Sequence, residues 1–443
     1  MSCQSTRHSG PAPTLLPLAC TAVRMWVALA AAAALTWAAP ATAQSSPYYV
    51  AGSLATSYDS NILRLAGNQV AGPDQSRSDT VFSTALVGGL NQGIGRQRVF
   101  GNLTLRDNRF QRNDTFNNQS YNGSLGVDWS TVERISGNLS VSAARALSTF
   151  NAEGVGLLTQ KNLESNQAAN ALVRVGLVTT YSLELGVSQR RVRNSLDDDR
   201  VKARDFNQDS YSVGLAWRPG GDLAITAAVR QLNGEFPTFR RDTTGAFESD
   251  RYEQQQVDLV TTWQASGASG LDLRLTFGDT QYVANEQRNF SSVNGSLGWL
   301  WQATGKLRLL TRYTRDKGQD AYPATVPFFF TRIPVTLFDS RSIDTWRLQA
   351  DLEVSSKIAL SSSLQSGRRT LARDTVTVVT PTSLGTNSGR DNTTVFTLGA
   401  RWSPVRNTLL GCDASSERRS ASGDLTASLN GSSLSCYGQI TLQ

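Results

Sequence analysis

The sequence predicts an all-β protein: a transmembrane antiparallel up-and-down β-barrel of about 18 strands, with short periplasmic turns and long extracellular loops. Three observations predict this fold. Apolar and polar residues alternate along segments of roughly ten to thirteen residues, the connections alternate in length, and tryptophans cluster at one end of the strands. A strand of roughly ten tilted residues suffices to cross a bilayer.

The alternation is clearest over residues 120–144. Tyr121, Leu125 and Trp129 lie on one face of the first segment, and polar residues such as Asp128 lie between them. A soluble sandwich hides its apolar face in a core, whereas a membrane barrel turns that face to lipid and its polar face to a wet lumen. The low charged fraction of 18% and hydrophobic fraction of 39% favour the barrel.

The same pattern recurs to the end of the chain. It predicts strands at about 48–58, 79–92, 98–110, 119–130, 135–147, 164–177, 180–193, 208–218, 223–232, 254–265, 271–281, 289–302, 307–316, 343–354, 358–369, 392–402, 407–417 and 432–442.

Short and long connections alternate between these strands. Short ones include TVER at 131–134 and PGGD at 219–222, and long ones include residues 64–78 and 148–162. Short turns at one end and long loops at the other are typical of outer-membrane barrels. A solenoid would instead show a fixed repeat period, which this sequence lacks.

Tryptophan positions provide an independent argument. Aromatic residues collect at the membrane–water boundary because one end of the ring system is apolar and the other can hydrogen-bond. Six tryptophans precede short turns on the apolar phase of their strands: Trp129, Trp217, Trp263, Trp299, Trp301 and Trp402.

The N-terminal residues resemble a secretory signal. Arg24 precedes an apolar run at 25–38, and small residues follow up to Ala43. The run is too short to span a membrane as a helix. We therefore expect residues 1–43 to be a removed signal peptide and residues 44–443 to form the outer-membrane barrel of a Gram-negative bacterium.

Catalysis has little support in the sequence. The only histidine, His8, lies in the predicted signal peptide, which leaves the barrel without the imidazole of Ser-His and Cys-His sites. Neither a glycine-rich phosphate loop nor a cluster of metal ligands is evident. We expect a protein that is not an enzyme, has no cofactor and no metal, and contacts membrane lipid rather than nucleic acid.

The polar phase of the strands predicts the inner wall, and many of its positions are arginines. Two interpretations remain open: the arginines pair with carboxylates and keep a wide pore rigid, or surplus arginines form a track for an anionic or polyhydroxylated chain. The predicted pore-lining arginines are Arg106, Arg174, Arg190, Arg218, Arg230, Arg274, Arg308, Arg312, Arg347 and Arg401.

The connection at 316–342 is unusually apolar for an exposed loop. Its two prolines, Pro327 and Pro334, argue against a central strand. It could be a constriction loop folded into the pore, a lid, a hairpin that extends the barrel, or a segment packed on neighbouring loops. The residues of the possible constriction are Phe328, Phe329, Phe330 and Arg332.

Two cysteines follow the predicted signal peptide, Cys412 and Cys436. An even pair in an exported protein predicts a disulfide, although two free thiols are the alternative. They occupy the last two predicted strands, both on the apolar phase.

Two segments resemble a known family. SYDSNILRLAG at 57–67 is similar to a segment near the mature start of EpsL-type outer-membrane proteins, which reads YDSN, then Ile or Leu, Leu or Phe, and Arg-Leu. SLSCYGQITLQ at 433–443 resembles the end of that family, with a cysteine shortly before a last strand ending in Leu-Gln. The terminal Gln443 departs from the aromatic residue that ends many porins.

The resemblance implies a function that the pattern alone does not. EpsL-type proteins are predicted barrel porins associated with exopolysaccharide operons and exosortase systems. The implied role is exopolysaccharide export or biosynthesis by passive conduction, with the polymer and its export machinery as partners. The alternatives are a general diffusion porin for small solutes and a non-conducting barrel whose loops bind a partner.

Overall fold

The structure is a computed structural model of the chain. It describes residues 46–443 except 133, 149–150, 153–155, 158–159, 177–179, 221, 243, 284–285, 329–330 and 379–382. The predicted signal peptide, residues 1–43, lies outside the described residues.

Nearly all of the regular structure is β-strand. The strands are β1 Tyr48–Asp59, β2 Asp79–Ile94, β3 Gln97–Phe110, β4 Asn118–Ser130, β5 Ile135–Leu147, β6 Asn151–Ala152, β7 Gly156–Leu157, β8 Leu163–Val175, β9 Tyr181–Asn194, β10 Phe206–Trp217, β11 Leu223–Arg241, β12 Phe247–Ser266, β13 Ser269–Tyr282, β14 Phe290–Gln302, β15 Leu307–Phe328, β16 Thr331–Glu353, β17 Ile358–Thr377, β18 Ser383–Trp402, β19 Thr408–Gly423 and β20 Leu429–Leu442. Among the described residues, one short α-helix, Asp199–Lys202, and two 3-10 turns, Asp114–Phe116 and Glu286–Arg288, lie in loops. No helix in the described part of the chain is long and apolar enough to span a bilayer.

Eighteen strands form one closed antiparallel sheet, and β6 and β7 form a separate small hairpin. The barrel closes where β1 pairs with β20, from Val50 opposite Leu442 to Asp59 opposite Ser433. Closure leaves no open sheet edge, which hydrocarbon would penalise by several kcal/mol for each unpaired backbone group. The predicted fold class and strand number are confirmed.

The outer face of the barrel is apolar and exposed. On β18, for example, Phe396 and Leu398 are 47% and 52% exposed, and polar Thr397 lies between them on the inner face. Trp402 lies at the short-turn end of the same strand and Trp346 at the opposite boundary on β16. A soluble protein would not leave such a belt in water, and it matches the lipid-facing band of an outer-membrane barrel. The protein is therefore an outer-membrane β-barrel.

Several strands are longer than the sequence predicts. The predicted strand at 307–316 extends to Phe328, and the one at 343–354 begins at Thr331. The predicted loop at 316–342 is thus largely a hairpin. Alternation of apolar and polar residues stops where the lipid stops, but backbone pairing continues, so the pattern underestimates strands that project from the membrane.

The two prolines of this hairpin lie inside the ladder, Pro327 opposite Arg332 and Pro334 opposite Thr325, on edge strands, as the expectation that they avoid a central strand allows. Each sits where its strand has a free edge. β15 pairs with β14 only as far as Arg315, and β16 pairs with β17 only from Val335. A missing amide hydrogen does no harm on an unpaired edge.

The segment that resembles the EpsL-type start forms a hydrogen-bonded turn at the barrel seam. The Asn61 amide donates to the carbonyl oxygens of Leu65 at 2.8 Å and Asn430 at 3.0 Å, and its Oδ1 accepts from Leu65 N at 2.9 Å. Arg64 pairs with Glu417 of β19 at 3.1 Å. These contacts tie the first extracellular loop to the last strands.

The predicted disulfide is confirmed. Cys412 and Cys436 are directly opposite on β19 and β20, with Cα atoms 4.0 Å apart, and both lie on the lipid phase.

We expect the Cys412→Ser/Cys436→Ser double variant to lose about 3 kcal/mol of unfolding free energy, because the bridge closes a loop in the unfolded chain. Urea titration in lipid vesicles measures this loss. The single variant Ser416→Ala, on the same face of β19, is the control. Free thiol in the purified wild-type protein would contradict the prediction.

Candidate functional site: the inner wall and the extracellular mouth

The structure places all ten predicted pore-lining arginines on the inner face. Each arginine alternates with apolar residues that are exposed on the outer face of the same strand, or of the segment that continues it. Arg230, for example, follows Val229, which is 62% exposed. The structure gives the position of these arginines. That they act on a solute stays a prediction.

Five of these arginines form ion pairs with carboxylates of other strands, as the first interpretation predicts. The pairs are Arg174–Glu184 at 3.0 Å, Arg218–Glu184 at 3.8 Å, Arg230–Asp258 at 2.6 Å, Arg308–Asp351 at 3.5 Å and Arg312–Asp272 at 3.0 Å. Four of the pairs link adjacent strands, and Arg312–Asp272 reaches across β14. Together they stiffen the wall and cancel much of its charge.

The other five have no ion pair within the described part of the chain. They are Arg106, Arg190, Arg274, Arg347 and Arg401. Arg347 lies directly opposite Arg312 in the β15–β16 ladder and donates to Gln349 Oε1 at 3.3 Å. Inward arginines without a carboxylate at ion-pair distance therefore remain on the described wall, as the second interpretation requires, so both interpretations describe part of the wall.

Two of the surplus arginines share a cavity of about 550 Å³. Arg106 of β3 and Arg401 of β18 line it together with Tyr49, Tyr437 and Gln439. These residues come from strands on both sides of the β1–β20 seam and lie on the inner phase of those strands, so the cavity lies inside the lumen.

Small residues make room for the rings of this cavity. A Cβ atom at Gly411 would lie 2.3 Å from Tyr437 Cε1, and one at Gly89 would lie 2.2 Å from Tyr49 Cε1. Each tyrosine ring therefore lies flat against the neighbouring strand, and glycine leaves the lumen wider at this height.

The β9–β10 loop, residues 195–205, folds inward over the extracellular mouth. Val201 of its short helix is 2% exposed, and the helix contacts both β11 and β15. Thr238 Oγ1 donates to Lys202 O at 2.8 Å, and Arg241 Nε donates to Asp199 Oδ1 at 2.7 Å. The sequence did not single out this loop.

An apolar cluster joins strands of the mouth that are not neighbours in the sheet. Phe239, within a register shift in β11, packs with Ala321 of β15, Phe338 of β16 and Val376 of β17. Three strands separate β11 from β15 along the wall. The contact therefore cuts across one sector of the opening, and the upper β15–β17 strands lean over that part of the mouth.

The opposite face of the same hairpin is also buried. Arg373 donates to both carboxylate oxygens of Asp339, at 2.7 and 2.6 Å, and Tyr322 also hydrogen-bonds Asp339. Asp339 is 3% exposed. A hairpin standing freely in water would not be covered on both faces.

Part of the predicted constriction can be located. Phe328 pairs with Thr331 at the hairpin tip and Arg332 pairs with Pro327. Phe329 and Phe330 lie outside the described residues. The segment is a hairpin, which was one of the sequence alternatives, and its role as a constriction stays a prediction.

A buried arginine anchors the β13–β14 loop under the mouth. Arg288 is 1% exposed, pairs with Asp250 of β12, and its guanidinium lies 3.8 Å from the Tyr282 ring centroid and 5.2 Å from that of Phe239. Burial raises the pKa of Asp250, and Arg288 opposes that shift.

Sequence reasoning missed most residues of the mouth. Aromatic side chains on the polar phase of four neighbouring strands were the available signal: Phe206, Phe236, Tyr252 and Tyr282. A ring that lies off the lipid phase must face either the lumen or an inward-folded loop.

The comparisons with known proteins add little. No family model matches the sequence, and no curated protein matches it. Among solved structures, a mutant ferric enterobactin receptor (PfeA) from Pseudomonas aeruginosa is 8% identical over 89% of this chain and 80% of that one, with a TM-score of 0.43. The siderophore receptor PiuA from Acinetobacter baumannii is 10% identical over 90% and 82%, with a TM-score of 0.40.

Pseudomonas aeruginosa OccK3 (OpdO) is 15% identical over 89% of this chain and 95% of that one, with a TM-score of 0.43. Similarity this low indicates nothing about cargo. The barrel assignment rests on this chain's own closed ladder and apolar belt.

Proposed function

We propose that the protein is a passive outer-membrane channel whose lumen favours anionic solutes. The observation that supports this is the set of five inward arginines without an ion pair in the described part of the chain. Rings and tracks of arginine or lysine select for anions in pores because they lower the electrostatic barrier to entry. Conduction of this kind needs no catalytic residue and no cofactor.

As cargo we propose an exopolysaccharide that bears carboxylates, moved outward with force supplied by other proteins. The EpsL-type resemblance of segments 57–67 and 433–443 supports this, and so does the fit of guanidinium forks to carboxylates. A diffusion porin for small anions is the second candidate. The packing of Phe239 against β15–β17 favours it, because a covered mouth admits small solutes more easily than a polymer.

We expect the wild-type channel in planar bilayers to prefer chloride over potassium, as measured by the reversal potential in a KCl gradient. The triple variant Arg106→Gln/Arg274→Gln/Arg347→Gln should lose roughly half or more of that preference, because these charges have no carboxylate to cancel them.

The control is Arg96→Gln/Arg134→Gln/Arg406→Gln, which removes equal charge at the short turns. A bilayer that shows no current with the wild-type protein would reject the channel proposal. Equal loss of chloride preference in both triple variants would reject the role of the inner wall. Deleting the gene and measuring secreted polymer decides the cargo, since unchanged secretion would leave only the small-anion candidate.

A further inference from the structure

A second cavity lies beneath the parts that cover the mouth. Its volume is about 350 Å³, within the range of roughly 300–1,000 Å³ that is usual for small-ligand sites. One wall comes from β9–β12 and the inward-folded loop, and the other comes from β15 and β16. It therefore lies at the mouth of the barrel, between these two groups of strands.

A row of aromatic rings forms one wall. The ring centroids of Phe206 and Phe236 are 6.2 Å apart, and those of Phe236 and Tyr252 are 5.8 Å apart. A Cβ atom at Gly234 would lie 2.0 Å from the Tyr252 ring, so glycine allows that ring to lie flat against β11. Tyr322 lines the opposite wall. Flat aromatic faces attract the C–H groups of a sugar ring because their π-faces are electron-rich.

The charged groups of the cavity leave positive charge uncompensated. Arg341 pairs with Asp320 at 2.6 Å. Arg190 stacks over Phe206 at 5.1 Å and donates to Asn166 at 3.3 Å, but it has no ion pair among the described residues.

Arg204, on the inward-folded loop, is exposed and likewise has no ion pair in the described ranges. Only the carboxylate of Glu164 in the lining remains to balance these two arginines. A ligand carboxylate would therefore find two guanidinium groups, which bind it through paired N–H donors.

We propose that this cavity is a binding subsite for an acidic saccharide, in which aromatic faces hold the sugar ring and Arg190 and Arg204 hold its carboxylate. The inference rests on the proposed function and names the ligand chemistry at the exit of the channel. Aromatic faces alone would not select for charge, and arginines alone would bind any anion, including phosphate.

Calorimetry on the detergent-solubilised barrel tests this without depending on conduction. The probes are tetragalacturonate, uncharged maltotetraose and inorganic phosphate. Tetragalacturonate should bind at least tenfold more tightly than either other probe, because only it meets both requirements.

Variants locate the site. Arg190→Gln and Arg204→Gln should each weaken tetragalacturonate binding roughly tenfold, as expected for loss of a charged hydrogen bond. Phe206→Leu keeps an apolar side chain but removes the ring, and should weaken it severalfold. Arg251→Gln is the matched control, since it removes an exposed arginine of β12 that does not line the cavity and should leave affinity unchanged.

Equal weakening by Arg251→Gln, or phosphate binding as tight as tetragalacturonate, would overturn the proposal. Failure of the proposed function is distinguishable. Binding without conductance would reject the channel and keep the subsite, whereas conductance without tetragalacturonate binding would reject the subsite and keep the channel.

Discussion

Replacing Arg288 with methionine is expected to lower the free energy of unfolding by roughly 3–5 kcal/mol, the usual cost of breaking a buried ion pair. Both partners, Arg288 and Asp250, are only 2% exposed at their side chains. The variant leaves the Asp250 carboxylate buried without its cation, among the rings of Phe236 and Tyr282. Urea titration in lipid vesicles measures the loss.

The pH dependence identifies the cause. Burial already raises the pKa of Asp250 above its ordinary value of 3.8, and Arg288 holds it down. Without Arg288 the pKa of Asp250 rises further, so the folded variant binds a proton at a pH where the unfolded chain does not. Its stability should therefore recover as the pH falls through that raised pKa towards 3.8.

Two further variants complete this test. Arg288→Met/Asp250→Asn should regain part of the loss at neutral pH, because no unpaired charge remains buried. Arg96→Met, at an exposed turn, should change stability by less than about 0.5 kcal/mol. A loss in Arg288→Met that is the same at every pH would point to packing rather than charge.

Replacing Leu398 with arginine is expected to cost roughly 2–4 kcal/mol, the penalty for a cation on the lipid face near the bilayer midplane. Leu398 is 52% exposed on the outer face of β18, between Phe396 and Trp402 at the boundary. The cost arises because hydrocarbon cannot solvate the guanidinium. Unfolding in vesicles, followed by tryptophan fluorescence, measures it.

The neighbouring variant Thr397→Arg is the matched control. Thr397 lies at the same height but faces the lumen, opposite Ser363 and Ser415. It should tolerate arginine with little loss because water can reach the charge. Equal costs at the two positions would mean that the outer face does not contact lipid.

The sequence was most informative where lipid constrained it. Period-two alternation located all eighteen barrel strands, because each membrane-spanning residue must face either hydrocarbon or water. The Cys412–Cys436 disulfide could also be predicted from the sequence, since the two residues lie on adjacent strands and on the same face. The same alternation predicted that Arg106 and Arg401 lie on the inner face of the barrel.

Above the membrane the alternation loses its physical cause, and prediction failed there. The paired ends of β15 and β16 were interpreted as a loop. Pro327 and Pro334 argued only against a central strand, and the sequence does not show that they lie on paired strands with one free edge. The inward fold of residues 195–205 left no periodic signal, since it depends on contacts with β11 and β15.

The amino-acid sequence by itself determined a barrel with an apolar exterior and an arginine-containing interior, because the bilayer imposes its pattern locally on every strand. Only the tertiary structure decided which arginines are neutralised and what covers the mouth. Those outcomes depend on side chains that meet across strands or across the opening, such as Arg288 with Asp250 and Phe239 with Phe338. Contacts between residues far apart in the chain leave no local pattern from which they could be predicted.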